Sequence, residues 1–188
     1  MNDDAALVQR CLEGDEAGMR ALVERYQGIV FGVCYRMLGQ REDAEDVAQD
    51  VFLRVFRSLH RWDAERPLKP WLLTIAANRC RTALERRSRQ PVPSEAADRR
   101  VCEDGRSRGS ELAEELQLAL ATLRDDYRMC FVLFYEQELS CSRIGEILGC
   151  PEGTVKTWLH RARKELAEFL TRRGVTPAAH VASQQAAG

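Results

Sequence analysis

The sequence predicts an all-α protein built as two small helical domains joined by a flexible linker. Apolar residues recur at intervals of three and four through most of the chain, and no alternating run of useful length competes with them. That pattern fails over residues 88–110, SRQPVPSEAADRRVCEDGRSRGS, where two prolines, two glycines and scattered charge read as a linker. A length of 188 residues suits one domain or two small ones.

The elements follow in order. A first short helix runs from about Asp4 to Glu13 and is stopped by Gly14. Met19, Leu22, Val23, Tyr26, Ile29, Val30, Val33, Cys34 and Met37 give an amphipathic helix over 15–39, ending at Gly39. The next, from Glu42 to about His60, carries the stripe Val47, Val51, Val55 and Leu59. Acids crowd its start and Arg54, Arg57 and Arg61 its end, as the helix dipole favours. Pro70 suits the first turn of a fourth helix with Leu72, Ile75, Ala76 and Leu84, ending near Arg87. Periodicity returns with Leu112, Leu116, Leu120 and Leu123, then Met129, Val132 and Leu133. The expected domains are 5–88 and 111–172, separated by the linker 89–110 and followed by a loose tail, 173–188.

Composition narrows the function. An apolar fraction of 45% rules out disorder throughout. The longest apolar runs fall far short of the ~20 residues that cross a bilayer, so no direct membrane insertion is expected. Five acids and no apolar core region in the first twenty residues leave nothing that reads as a signal peptide. The net charge of −1 at first argues against nucleic acid, but it is an average. Residues 1–50 carry −6, 51–100 carry +7, 101–150 carry −5 and 151–188 carry +3. Charge sorted in this way fits separate surfaces for separate partners, and it also fits helix-end preference alone.

The sharpest local signal lies at 140–166. Ser140 can cap a helix holding Ile144, Ile147 and Leu148, which Gly149, Cys150, Pro151 and Gly153 then break. A second, basic helix follows from about Thr154, with Val155, Leu159, Ala162 and Leu166 inward. Two short helices about a tight turn make a helix-turn-helix. Its outward face offers Lys156, Thr157, His160, Arg161, Lys164 and part of Arg163, donors suited to guanine edges and phosphates in a major groove. Trp158 fits two places, the rim of that surface or a packing position on the preceding helix.

Two further clusters stand out. Around the fourth helix, Arg61, Arg66, Lys69, Arg79, Arg81, Arg86 and Arg87 interleave with Trp62, Trp71, Asn78 and Thr82. Cations beside aromatic walls suit single-stranded nucleic acid, and Asn78 and Thr82, four apart, share a face. Trp71 also reads as a core residue. Asp46, Gln49 and Asp50 sit at i, i+3 and i+4, opposite the valine stripe. They form either a solvated acidic face or a dock for a basic partner helix.

DAEDVAQDVFLRVFRSL (43–59), PWLLTIAANRCRTALERR (70–87) and LSCSRIGEILGCPEGTVKTWLHRARKEL (139–166), in that order about a linker, resemble the sigma-70 family of bacterial RNA polymerase initiation factors. The likeness is to the small extracytoplasmic-function branch and covers nearly all of 5–172. It implies a factor that binds core RNA polymerase and directs it to promoters. Asp46, Gln49 and Asp50 would meet the clamp helices of the β′ subunit. The His60–Lys69 loop, with Trp62, Leu68 and Lys69, and then Asn78, Arg79, Arg81 and Thr82, would open the −10 element and hold a flipped base. Lys156, Thr157, His160, Arg161 and Arg163 would read the −35 duplex, and the apolar hairpin around Leu133–Phe134 would dock on the β flap. The linker would thread toward the RNA exit channel. An anti-sigma partner is expected, holding a cytoplasmic factor inactive, in some relatives at the membrane. The other reading of the helix-turn-helix, a stand-alone regulator of duplex DNA, leaves 42–87 without a role.

Some positions depart from that family pattern. Leu123 is followed by Arg124 where Leu-Pro is common. After Ser140 come Cys141, Ser142 and Arg143 in place of an aromatic and acids, so Arg143 cannot close a capping box. The seven cysteines, at 11, 34, 80, 102, 130, 141 and 150, form no CxxC, and no histidine stands at finger spacing. No metal site is expected, and an odd count argues against a disulfide framework. Cys34 and Cys130 read as core, Cys102 and Cys141 as exposed. His60, His160 and His180 have no nucleophile beside them and there is no phosphate-binding loop, so no catalysis and no cofactor are expected.

Overall fold

A computed structural model describes residues 3–89 and 108–173, the side chains of 108–112 excepted. The described residues form eight α-helices and no strand. They are α1 (Asp3–Leu12), α2 (Glu16–Leu38), α3 (Arg41–Ser58), α4 (Leu68–Arg89), α5 (Arg108–Thr122), α6 (Asp125–Phe131), α7 (Cys141–Leu148) and α8 (Glu152–Arg172). A 3₁₀ turn, Leu59–Arg61, follows α3, and a π-turn, Val132–Glu136, follows α6. The helix α5 starts inside the stretch read as linker; the expectations for residues 90–107 and 174–188 fall outside the described residues.

The first domain is α1–α4. Leu22, Val30, Val33, Cys34 and Met37 from α2 meet Val51 and Val55 from α3 and Leu72, Leu73 and Ala76 from α4, all fully buried. The apolar stripe predicts this packing directly, since side chains three and four apart share a helix face. Gly39 ends α2 in the left-handed region, at φ 76°, and its N–H reaches the Tyr35 carbonyl at 2.9 Å. Pro70 falls in the first turn of α4, where its missing N–H leaves no helical bond unmade.

The second domain, α5–α8, packs Leu120, Leu123, Tyr127, Met129 and Cys130 against Ile144, Ile147, Val155, Leu159 and Leu166. Arg128 closes the α5–α6 turn through Nε to the Leu120 carbonyl at 2.8 Å and Nη2 to the Leu123 carbonyl at 3.0 Å. Burial pulls its pKa below the ordinary guanidinium value, and the Asp125 charge opposes that.

The two domains touch. Arg128 Nη1 donates to the Met37 carbonyl at 2.6 Å, and Arg36 Nε pairs with Glu136 Oε1 at 2.8 Å. Gln117 Nε2 donates to the Tyr35 carbonyl at 3.2 Å. Further along, α7 lies against α4, and Lys69 Nζ donates to the Gln137 carbonyl at 3.0 Å.

Candidate nucleic-acid interface

Local chemistry builds the helix-turn-helix. Ser140 caps α7, its hydroxyl accepting from the Arg143 N–H at 3.2 Å. Arg143 pairs instead with Glu146 at 2.6 Å. Gly149 takes φ 69° and ends the helix. The Cys150 N–H donates to the Gly145 carbonyl at 3.0 Å, while the Cys150 carbonyl comes so close that a Cβ on Gly145 would stand 2.7 Å from it. Gly145 is therefore required by the turn. Sequence reasoning missed it, because an isolated glycine within an apolar helix gives no sign of what approaches it.

The helix α8 presents Lys156, Thr157, His160, Arg161 and Arg163, all exposed, on one continuous surface. Lys156 pairs with Glu152 at 2.8 Å, Thr157 donates to its own helix at the Gly153 carbonyl, and Arg161 Nη1 donates to the Tyr127 hydroxyl at 2.9 Å. Trp158 is half-buried and packs back onto the helices before α8, tilted against the Tyr127 ring of α6.

On α4, Asn78 and Arg81 are exposed and Thr82 is half-buried on the same side, its hydroxyl donating to the Asn78 carbonyl at 2.9 Å. Trp62 and Trp71 are half-buried. With Arg61, Arg66, Arg143 and Ile147 they line a cleft of about 340 Å³ between the 60–70 loop and α7. The Trp62 indole N–H is buried there with no hydrogen-bond partner among the described residues. Leu68 corrects the expectation. It is fully buried at the start of α4, in step with Leu72, and has no surface to offer a base.

The acidic cluster divides. Asp46 and Gln49 are exposed on α3, whereas Asp50 is half-buried and turned toward α4, ion-paired with Arg79 and, at 3.4 Å, with Arg54. Arg79, also half-buried, is thus held by an acid read from sequence as part of a different surface. Beside Gln49 lies a groove of about 670 Å³ lined by Val23, Phe31, Phe52, Leu53 and Phe56, with Leu53 49% exposed. That groove was not anticipated, although Leu53 and Phe56 falling off the valine stripe was the signal.

Leu133 also departs from expectation. It is fully buried, because the π-turn swings it into the core, and the outward group is Phe134 and Tyr135 with Phe131. Their rings pack at centroid distances of 4.5 Å, tilted (Phe131–Tyr135), and 5.0 Å, edge to face (Phe134–Tyr135). Cys34 and Cys130 are buried as expected, and Cys34 faces Cys80 with sulfurs 3.8 Å apart. Cys141 is partly exposed; Cys102 lies outside the described residues. Among the described residues no cluster of three metal-ligating side chains occurs, and no helix is long and apolar enough to cross a membrane.

Comparison with known proteins follows the same division. Residues 22–90 match the family model described as Sigma-70 region 2, and residues 113–166 that described as Sigma-70, region 4. The chain is 34% identical over 179 residues to the ECF RNA polymerase sigma factor SigW of Bacillus subtilis, covering 87% of this chain and 94% of that one. It is 31% identical to the ECF RNA polymerase sigma-E factor of Escherichia coli K12, covering 87% and 92%. Two solved structures share the fold. One is the sigma factor RpoE with the anti-sigma factor NepR from Bartonella quintana (TM-score 0.69, 23% identity, 81% and 96% covered). The other is CnrH with the cytosolic domain of CnrY (TM-score 0.66, 24% identity, 89% and 96% covered).

Proposed function

Because this chain belongs to the extracytoplasmic-function group of the sigma-70 family, we propose a division of its labour among four surfaces. The chain is a dissociable, non-enzymatic factor that binds core RNA polymerase and directs promoter-specific initiation. Its domains are 5–88, which docks on polymerase and opens the −10 element, and 111–172, which reads the −35 duplex. The residues between act as a linker.

Asp46 and Gln49, with the apolar groove beside them, form the polymerase dock. Gln49 lines the apolar groove and the exposed Asp46 lies one turn before it on α3, an arrangement that suits a basic, amphipathic helix pair such as the clamp helices of β′. Asp50 belongs to the same cluster but reaches it from the α4 side. Asn78, Arg79, Arg81 and Thr82, with Lys69, Trp62 and Trp71 at the loop, form the strand-opening surface. Unstacking a base costs a few kcal/mol, which stacking on indole and contact with cations can offset. Lys156, Thr157, His160, Arg161 and Arg163 enter the major groove at −35. Phe134 and Tyr135 supply the apolar contact to the β flap. An anti-sigma factor is the natural regulator of such a chain, and a cytoplasmic location follows from these partners.

The observation that carries this reading is the exposed basic face of α8 on a helix-turn-helix, in one chain with a separate basic and aromatic surface on α4. A regulator that binds duplex by itself needs only the first. The test is transcription of fragmented genomic DNA by core polymerase with and without the chain. Discrete RNA 5′ ends that appear only with the chain support the assignment. Polymerase that stays promoter-blind overturns it.

A further inference from the structure

Tyr127 sits at the centre of a constellation that the residue assignments above do not use. Its ring is buried on α6, 3% exposed, and its hydroxyl emerges beside α8 to accept from Arg161 Nη1 at 2.9 Å. Trp158, one turn before Arg161 on the same flank of α8, leans on that ring at 6.4 Å between centroids and 45° between planes. The guanidinium of Arg124, just ahead of α6, lies 5.1 Å from the ring centroid. Two guanidinium groups therefore meet one tyrosine, one at its hydroxyl and one at its face. Arg124 is 69% exposed, and Asp126 at 3.7 Å is the carboxylate it pairs with. It stands where the sequence pattern departs from the common Leu-Pro.

We infer that Tyr127 is a positioning residue for Arg161, and that Arg124, seated on the same ring, is an additional phosphate-contacting cation of the duplex-reading surface. This rests on the assignment of α8 to duplex recognition. An arginine carries five N–H donors, and the bond to Tyr127 uses one, leaving the others to reach a guanine edge or a phosphate. A long side chain already fixed loses less rotamer freedom on binding, so restraint by Tyr127 strengthens the contact. Tyr127 can restrain because its ring is locked by Trp158 and the α6 core. Cation–π attraction holds Arg124 toward the same side, and its solvent-exposed ion pair with Asp126, at 3.7 Å, is weak enough to yield to a phosphate.

The experiment uses holoenzyme reconstituted from core polymerase and the full chain. The probe is a library of promoter duplexes randomised through the upstream element, with retained duplexes sequenced and affinity measured at several salt concentrations. Arg161→Ala should flatten base preference at one or two positions. Tyr127→Phe, which keeps the ring against Trp158, should flatten the same positions and weaken binding about three- to tenfold. In the Arg161→Ala background Tyr127→Phe should add nothing, whereas a merely structural tyrosine would weaken both backgrounds equally. Arg124→Ala should leave base preference intact, weaken all sequences alike and reduce the salt slope by about one. A Tyr127→Phe profile equal to wild type, or tighter than it, overturns the positioning role. An unchanged salt slope overturns the role of Arg124. If the wild-type holoenzyme enriches no upstream sequence at all, the duplex-reading assignment itself fails, and that result is distinct from every outcome above.

Discussion

Asp50 is half-buried between two arginines, Arg54 on its own helix and Arg79 on α4. Reversing its charge would bring three cations together, so Asp50→Arg acts on the fold before it acts on any partner. It should lower stability by about 1–2 kcal/mol, a modest figure because the site is partly solvated, read as a drop in melting temperature. Asp46 is exposed and has no such partner across α4. Asp46→Arg should leave the melting temperature unchanged and lower affinity for core polymerase; retained affinity would move the dock away from α3. The thiols give a second test at this scale. Burial pushes Cys130 up to about 12, and the thiol–thiol contact with the equally buried Cys80 raises Cys34, with burial adding to it. A thiol reagent at neutral pH should therefore modify Cys141 and Cys150 in the native protein, and Cys34, Cys80 and Cys130 only after denaturation, as peptide mapping by mass spectrometry would show.

At the scale of the element, the turn between α7 and α8 depends on small features. Gly145→Ala drives a methyl group to 2.7 Å from the Cys150 carbonyl, a backbone atom that cannot rotate aside. The turn must open, at about 1–3 kcal/mol, and α8 shifts with it. Ser140→Ala removes one cap bond and should cost about 1 kcal/mol without moving α8. Circular dichroism melts measure both, and equal losses from the two changes would refute the steric account. The contrast shows what was legible in sequence. Helices α2, α3 and α8 were readable because an apolar stripe marks their faces; Gly39 marks the end of α2 and Pro151 the start of α8, while acids at its start and arginine at its end mark α3. Leu68 and Leu133 were not. Each lies at an element boundary, where periodicity no longer says which way a side chain points, and tertiary packing drew both inward. Gly145 was illegible for a related reason, since its constraint comes from a residue five positions later. The candidate surfaces followed the same rule: the exposure of the basic α8 residues followed from its regular stripe, whereas the α4 surface turned on the Asp50–Arg79 pairing between helices.

The whole molecule brings these surfaces into conflict. A net charge of −1 conceals blocks of −6, +7, −5 and +3, and in the fold the second domain lies against part of the +7 block. Lys69 donates to Gln137, and the cleft holding Trp62 and Trp71 is walled on one side by Arg143, Glu146 and Ile147 of α7. The basic face of α8 stays exposed at the same time. For a DNA strand to enter the loop cleft, α7 must leave α4. The contacts that resist this are few and polar at the other end of the seam: Arg36 with Glu136, Gln117 with the Tyr35 carbonyl, and Arg128 with the Met37 carbonyl. Each is worth about 1 kcal/mol, so their sum can be overcome by docking on a large partner that holds the two domains apart. Glu136→Arg sets two cations against each other across the seam. It should raise the radius of gyration in small-angle scattering and strengthen binding of a single-stranded oligonucleotide to the isolated chain about tenfold, because a 1.4 kcal/mol bias toward the open form is a factor of ten. Adding Arg36→Glu restores an attractive pair and should reverse both changes. A Glu136→Arg chain as compact and as weakly binding as wild type would show that the polar seam does not hold the domains together, and would place that role on the apolar contact between α4 and α7.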